Sequence, residues 1–110
     1  MKKIVIALCA YFAAAEPIEL TASSYVETVI DVDGNYMSDR GTFVKFYAPW
    51  CAHCETLVPI WEELDEFSGE ELTVAKMNCI TEENKHFCKY LDVTSFPTVL
   101  YYPPNGEFKG

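Results

Sequence analysis

An α/β domain built on a mixed central sheet flanked by helices is the fold class this sequence predicts, and three observations predict it. Stretches rich in β-branched and aromatic residues alternate with stretches whose apolar residues recur at helical spacing, in the order β-α-β-α-β-α-β-β. The pentapeptide Trp50-Cys51-Ala52-His53-Cys54 lies between one such strand and the longest helix. Asn105-Gly106 separates the last two strand candidates, and a two-residue turn of that kind joins antiparallel neighbours, so the strands cannot all run one way.

Taken in order, Ile18 to Leu20 reads as a short strand, and Thr21 to Ser24 offers a cap for a helix from Tyr25 to Val32. The Asp, Gly and Asn of Asp31-Val32-Asp33-Gly34-Asn35 mark a loop. Thr42 to Tyr47 is a buried strand by composition. A helix follows from Cys51 to Phe67, with Leu57, Ile60, Trp61, Leu64 and Phe67 forming the apolar face expected on the sheet. Glu62, Glu63 and Glu66 fall outside that face and read as a solvated surface, and Ser68-Gly69 ends the helix. Pro59 within it predicts a kink near Glu55 and Thr56. Leu72 to Met77 is a third strand, Glu82 to Tyr90 a helix, Thr98 to Tyr102 a strand, and Glu107-Phe108 its hairpin partner. Tyr101, Tyr102 and Phe108 read as sheet and core residues.

The 110 residues allow one folded domain, and 50% hydrophobic content with 15% aromatics argues against disorder. A net charge of −9 argues against a nucleic-acid partner, whose phosphates such a surface repels. Residues 1–15 read as a secretory signal peptide: Lys2 and Lys3, an apolar run from Ile4 to Phe12, then Ala13-Ala14-Ala15. The run is too short for a membrane span, so no anchor is expected after cleavage, and the domain is assigned to 16–110. Cleavage removes Cys9 and leaves Cys51, Cys54, Cys79 and Cys88 in an oxidising compartment.

A strand feeding a Cys-x-x-Cys helix is the setting of a redox pair. At the helix N-terminus, free amides and the macrodipole favour a thiolate at Cys51, which makes it the nucleophile. His53 adds to this when protonated. Cys54, one turn further in, is the resolving thiol. Read from the residues alone, the pair also fits an inert disulfide or half of a zinc site. A zinc ribbon needs a second close pair, however, and Cys79 and Cys88 stand too far apart to supply it. No metal or other cofactor is expected.

The chain resembles the thioredoxin superfamily, and within it the catalytic domains of protein disulfide isomerases. The resemblance rests on Phe46-Tyr47-Ala48-Pro49-Trp50-Cys51-Ala52-His53-Cys54, the helix with Pro59, Ala75-Lys76-Met77-Asn78-Cys79 and Ser95-Phe96-Pro97-Thr98-Val99. It implies a thiol-disulfide oxidoreductase or isomerase acting in oxidative protein folding, on unfolded or disulfide-containing protein clients, in the endoplasmic reticulum lumen or after secretion. It implies a cis-proline at Pro97 facing the cysteines, with Phe96 beside it, where the residues alone read as an ordinary proline opening a strand. It implies a structural disulfide between Cys79 and Cys88, which requires their Cα atoms to lie within about 7 Å. With His53 between the cysteines, it places the couple nearer the isomerase value of about −180 mV than the thioredoxin value of about −270 mV.

Departures from the family pattern are Ala52 in place of glycine, Glu55 in place of lysine, and a sequence that stops at Gly110, so that the expected fold lacks the usual C-terminal helix. Lys45 stands where the family has a buried acid, close to the position matched by Lys76. Two ammonium groups there would repel, one should titrate low, and Lys45 or Lys76 is a candidate for proton transfer with Cys54. The competing reading has Lys45 reaching solvent or pairing with a glutamate. A non-catalytic or truncated module that holds client proteins is the alternative function.

Overall fold

The computed structural model describes residues 17–104, apart from positions 32, 34, 37 and 70. Its strands are β1 (Ile18–Leu20), β2 (Gly41–Tyr47), β3 (Leu72–Asn78) and β4 (Thr98–Tyr102), and its helices are α1 (Ala22–Thr28), α2 (Ala52–Ser68) and α3 (Lys85–Tyr90). The sheet order is β1-β3-β2-β4. Strands β1 and β2 both run parallel to β3, while β4 runs antiparallel to β2, so the sheet is mixed as expected. The signal peptide expected at residues 1–15, and the turn and strand expected at Asn105-Gly106 and Glu107-Phe108, lie outside the described residues.

Strand predictions hold to within a residue, whereas two helices differ from expectation. Helix α1 starts at Ala22, ahead of the predicted Tyr25, because Thr21 and Ser24 form a capping box: the Thr21 hydroxyl accepts from Ser24 N–H and the Ser24 hydroxyl accepts from Thr21 N–H. It ends at Thr28, short of Val32, where the β-branched run Thr28-Val29-Ile30 disfavours helix and Ile30 instead bridges Tyr36. Helix α3 begins at Lys85 and not at Glu82. The Asn84 side chain is already engaged there, accepting from Ala22 N–H at 2.9 Å and donating to the Asn78 carbonyl at 2.9 Å. That buried amide ties α1, β3 and the start of α3 together. Helix α2 continues without interruption across Pro59 and stops at Gly69, whose φ of 54° is open to glycine at little cost.

Alternation along the strands divides the side chains between two faces. Val44, Phe46, Ala75 and Met77 point to one, where Leu20, Tyr25, Val29, Cys79, Cys88 and Val93 complete the main core. Tyr102 packs against this core and its hydroxyl shares a hydrogen bond with Tyr25 at 2.6 Å. Helix α2 covers the other face, where Trp61 donates its ring N–H to the Ala75 carbonyl at 2.8 Å and meets Phe43 edge-on. The apolar face predicted for α2 is corrected in two members: Ile60 is 53% exposed and Phe67 86% exposed. Both lie about 100–120° round the helix from Trp61. The inward stripe runs instead through Cys54, Leu57, Trp61 and Leu64, so the helix settles with its second cysteine facing the sheet. Glu62, Glu63 and Glu66 are exposed.

Candidate active site

Strand β2 ends at Tyr47, and the turn Ala48-Pro49-Trp50 delivers the chain to the start of α2, with Cys51 N–H donating to the Ala48 carbonyl at 3.1 Å. Cys51 is the N-cap residue of α2. Its sulfur takes the place that a serine or aspartate oxygen fills in an ordinary cap, accepting the Cys54 backbone N–H at 3.3 Å. The Cys51 sulfur is therefore built into the helix terminus. Cys51 is 8% exposed and Cys54 3% exposed, and both carry free thiols. Ala48 packs with them, and Tyr47 and Phe96 close the cluster. Across the site the Phe96-Pro97 peptide bond is cis, the Phe96 carbonyl lies 3.6 Å from Cys51 Sγ as its acceptor, and the exposed Trp50 ring meets Phe96 edge-on.

The two thiols are driven apart in acidity. Cys51 is held below the ordinary thiol range, first by the hydrogen bond from the Cys54 thiol and then by the backbone N–H groups of Cys54 and His53; partial burial and Glu55 oppose this. Cys54 is pushed up, first by burial and then by the hydrogen bond it donates to Cys51, with the Ala48 backbone and then Lys45 pulling the other way. The first sulfur is shifted toward the thiolate and the second toward the thiol. That division suits a nucleophile and a resolving partner.

His53 lies exposed on the first turn of α2, its backbone N–H among the groups that favour the ionised form of Cys51; among the described residues its ring makes no hydrogen bond to either sulfur. Cys79 and Cys88 are joined to each other in the main core, with Cα atoms 5.9 Å apart. Cys79 N–H donates to the Tyr47 carbonyl, so the end of the strand leading to Cys51 is tied to that bridge.

Lys45 is 3% exposed and forms no ion pair among the described residues, so it neither reaches solvent nor pairs with a glutamate. Its ammonium lies 5.6 Å from the Tyr47 ring centre and 5.9 Å from that of Trp61. Lys76 is its neighbour across β2 and β3, and Glu19 is the neighbour of Lys76 across β3 and β1. Lys76 Nζ is 3.7 Å from Glu19, whose carboxylate also accepts from the Tyr47 hydroxyl at 3.0 Å. Glu19, Tyr47 and Trp61 were not among the site residues expected from sequence. Nothing local marks them, because only strand order and the seating of α2 bring them to Lys45.

A dithiol at the N-terminus of a helix, fed by the central strand of a mixed sheet and faced by a cis-proline turn, defines a thioredoxin-fold domain with a redox-type cysteine pair. The family model described as thioredoxin matches residues 16–109, and the chain belongs to that family. It is 34% identical over 92 residues to protein disulfide-isomerase 1 of Dictyostelium discoideum, covering 82% of this chain and 24% of that protein. It is 41% identical over 68 residues to the thioredoxin domain-containing protein 5 homolog of Drosophila melanogaster, covering 59% of this chain and 16% of that one. Among solved structures, the Trx4 domain of ERdj5 superposes with a TM-score of 0.65 at 26% identity, covering 79% of this chain and 69% of that domain. The chain thus spans about a quarter or less of the length of these two curated relatives.

Proposed function

We propose that this chain is a thiol-disulfide oxidoreductase domain of the protein disulfide isomerase type, acting on cysteine-containing protein clients. The observation that carries the reading is Cys51 Sγ accepting the Cys54 N–H at the start of α2, with the Cys54 thiol enclosed behind it. In the reductive direction the Cys51 thiolate attacks a client disulfide, a mixed disulfide forms, and one client thiolate leaves. Cys54 then attacks Cys51 Sγ, the second client sulfur leaves, and two electrons have passed from the dithiol to the client. The reverse sequence oxidises a client dithiol. Trp50 and Phe96 flank Cys51 and offer apolar surface for the client chain next to its sulfur. The signal-like residues 1–15 and the isomerase relatives support work in the endoplasmic reticulum lumen or after secretion.

Turnover of a disulfide-bonded peptide tests this. Cys51→Ser should abolish turnover, and Cys54→Ser should stop the reaction at a Cys51-client mixed disulfide visible by mass. Activity that survives Cys51→Ser overturns the proposal. A second reading, client holding without turnover, is favoured by the exposure of Ile60, Phe67, Val99 and Tyr101. It predicts that the Cys51→Ser/Cys54→Ser protein still suppresses aggregation of an unfolded client.

A further inference from the structure

The sheet behind Cys54 carries three ionisable side chains side by side. Glu19 on β1, Lys76 on β3 and Lys45 on β2 occupy one register row, running from the exposed sheet edge to the interior beneath α2. A cleft of about 160 Å³ joins the inner end of this row to the second cysteine, its lining including Lys45, Tyr47, Cys54, Glu55 and Lys76. A buried lysine without a carboxylate partner is costly, since two aromatic rings at nearly 6 Å replace only part of its hydration. It is easier to hold such a group neutral than charged.

We propose that Lys45 is the general base for Cys54, and that Lys76, held in place by Glu19, is a positioning charge that keeps Lys45 unprotonated until Cys54 reacts. This rests on the oxidoreductase reading. As Cys54 Sγ attacks Cys51 Sγ of the mixed disulfide, its proton passes to Lys45 Nζ. The Cys51–Cys54 bond forms, the Cys51-client bond breaks, and the client departs as a thiolate. Neutral thiol and neutral amine become an ammonium and a thiolate, so protons, electrons and charge balance. The ammonium then releases its proton to solvent through the cleft.

The groups facing Lys45 agree with this assignment. Burial, then the charge of Lys76, hold Lys45 below the ordinary lysine range, while Cys54 and Glu62 on α2 and Glu19 on β1 oppose them; Glu55 lines the same cleft. Its antiparallel partner on β4, Val99, brings no charge. Cys54, raised by its own burial, needs a nearby acceptor to ionise at neutral pH, and among the described cleft residues Lys45 and Lys76 supply the nitrogens. Lys76 is held by Glu19. Lys45 is the one left to serve.

The test is a single-turnover reaction of the reduced full chain with glutathione disulfide, quenched with acid and resolved by mass into mixed disulfide and oxidised protein. Lys45→Met should form the mixed disulfide at the wild-type rate but resolve it at least about tenfold more slowly at neutral pH, recovering about tenfold per pH unit as hydroxide takes over. Lys45→Arg should be slow as well, since a guanidinium keeps the charge and cannot accept a proton. Lys76→Met, at a half-exposed position, should move the pH midpoint of resolution upward, and it carries the test alone if the Lys45 variants do not fold. The proposal is overturned if Lys45→Met or Lys45→Arg resolves at the wild-type rate between about pH 6 and about pH 9, or if Lys76→Met leaves the midpoint in place. If the wild-type protein forms no mixed disulfide at all, it is the oxidoreductase reading that falls.

Discussion

At the scale of single residues, the chemistry depends on what replaces water around a sulfur. Cys51 gains hydrogen bonds that favour its ionised form, while Cys54 loses hydration that the Ala48 backbone and Lys45 offset only in part. The thiol-to-thiol hydrogen bond is the largest of the effects on Cys51. Cys54→Ala should therefore raise the pH midpoint of Cys51 alkylation by iodoacetamide and slow the reaction at neutral pH by at least about threefold. An unchanged midpoint would mean that the backbone amides and the helix terminus suffice. The cysteine pair and its seat were legible at this scale, because spacing and position at a helix start are local facts. His53, read as a tuning residue from its place between the cysteines, lies exposed on the first turn of α2.

Among the elements, the strands were easier to read than the helix ends. Stretches rich in β-branched and aromatic residues such as Thr42 to Tyr47 need only their own composition, and the observed β2 differs by one residue. The ends of α1 and α3 were set by side-chain hydrogen bonds, one within the Thr21 and Ser24 box and the other from Asn84 to two remote backbone groups. A polar side chain that caps one segment while anchoring another leaves no periodic signal. Asn84→Ala should cost about 1–3 kcal/mol, because it strands the partly buried Ala22 N–H and Asn78 carbonyl together. Urea unfolding measures this directly, and a loss below half that range would show that solvent satisfies both groups. Helix α2 shows the other way in which element reading fell short. Its five apolar positions were correctly placed on the helix, yet Ile60 and Phe67 were left outside because Cys54 and Trp61 set the rotation of the helix on the sheet.

For the whole molecule, Lys45 places stability and reactivity in opposition. Burial lowers its proton affinity in the native state, so between that lowered value and the ordinary lysine range the unfolded chain binds a proton that the native one does not. Stability contributed at this site rises with pH across that window and is lowest below it. Lys45→Met should therefore match or exceed the wild-type unfolding free energy at neutral pH, by up to about 1–4 kcal/mol, with the advantage fading as the pH climbs toward the lysine range. Thermal unfolding of the reduced protein at several pH values checks the sign. A Met variant that is less stable at neutral pH would show that the ammonium is well accommodated between Tyr47 and Trp61.

The amino-acid sequence by itself determined the alternating elements, the Cys51-x-x-Cys54 pair and its seat at a helix start, because propensity, capping and periodicity act over a few neighbouring residues. Only the tertiary structure decided that Glu19, Lys76 and Lys45 form one row ending at Cys54, and that the Phe96 carbonyl faces Cys51. Strand order and register come from how the whole chain buries its apolar surface, and a slip of one residue would turn every side chain of that row to the opposite face.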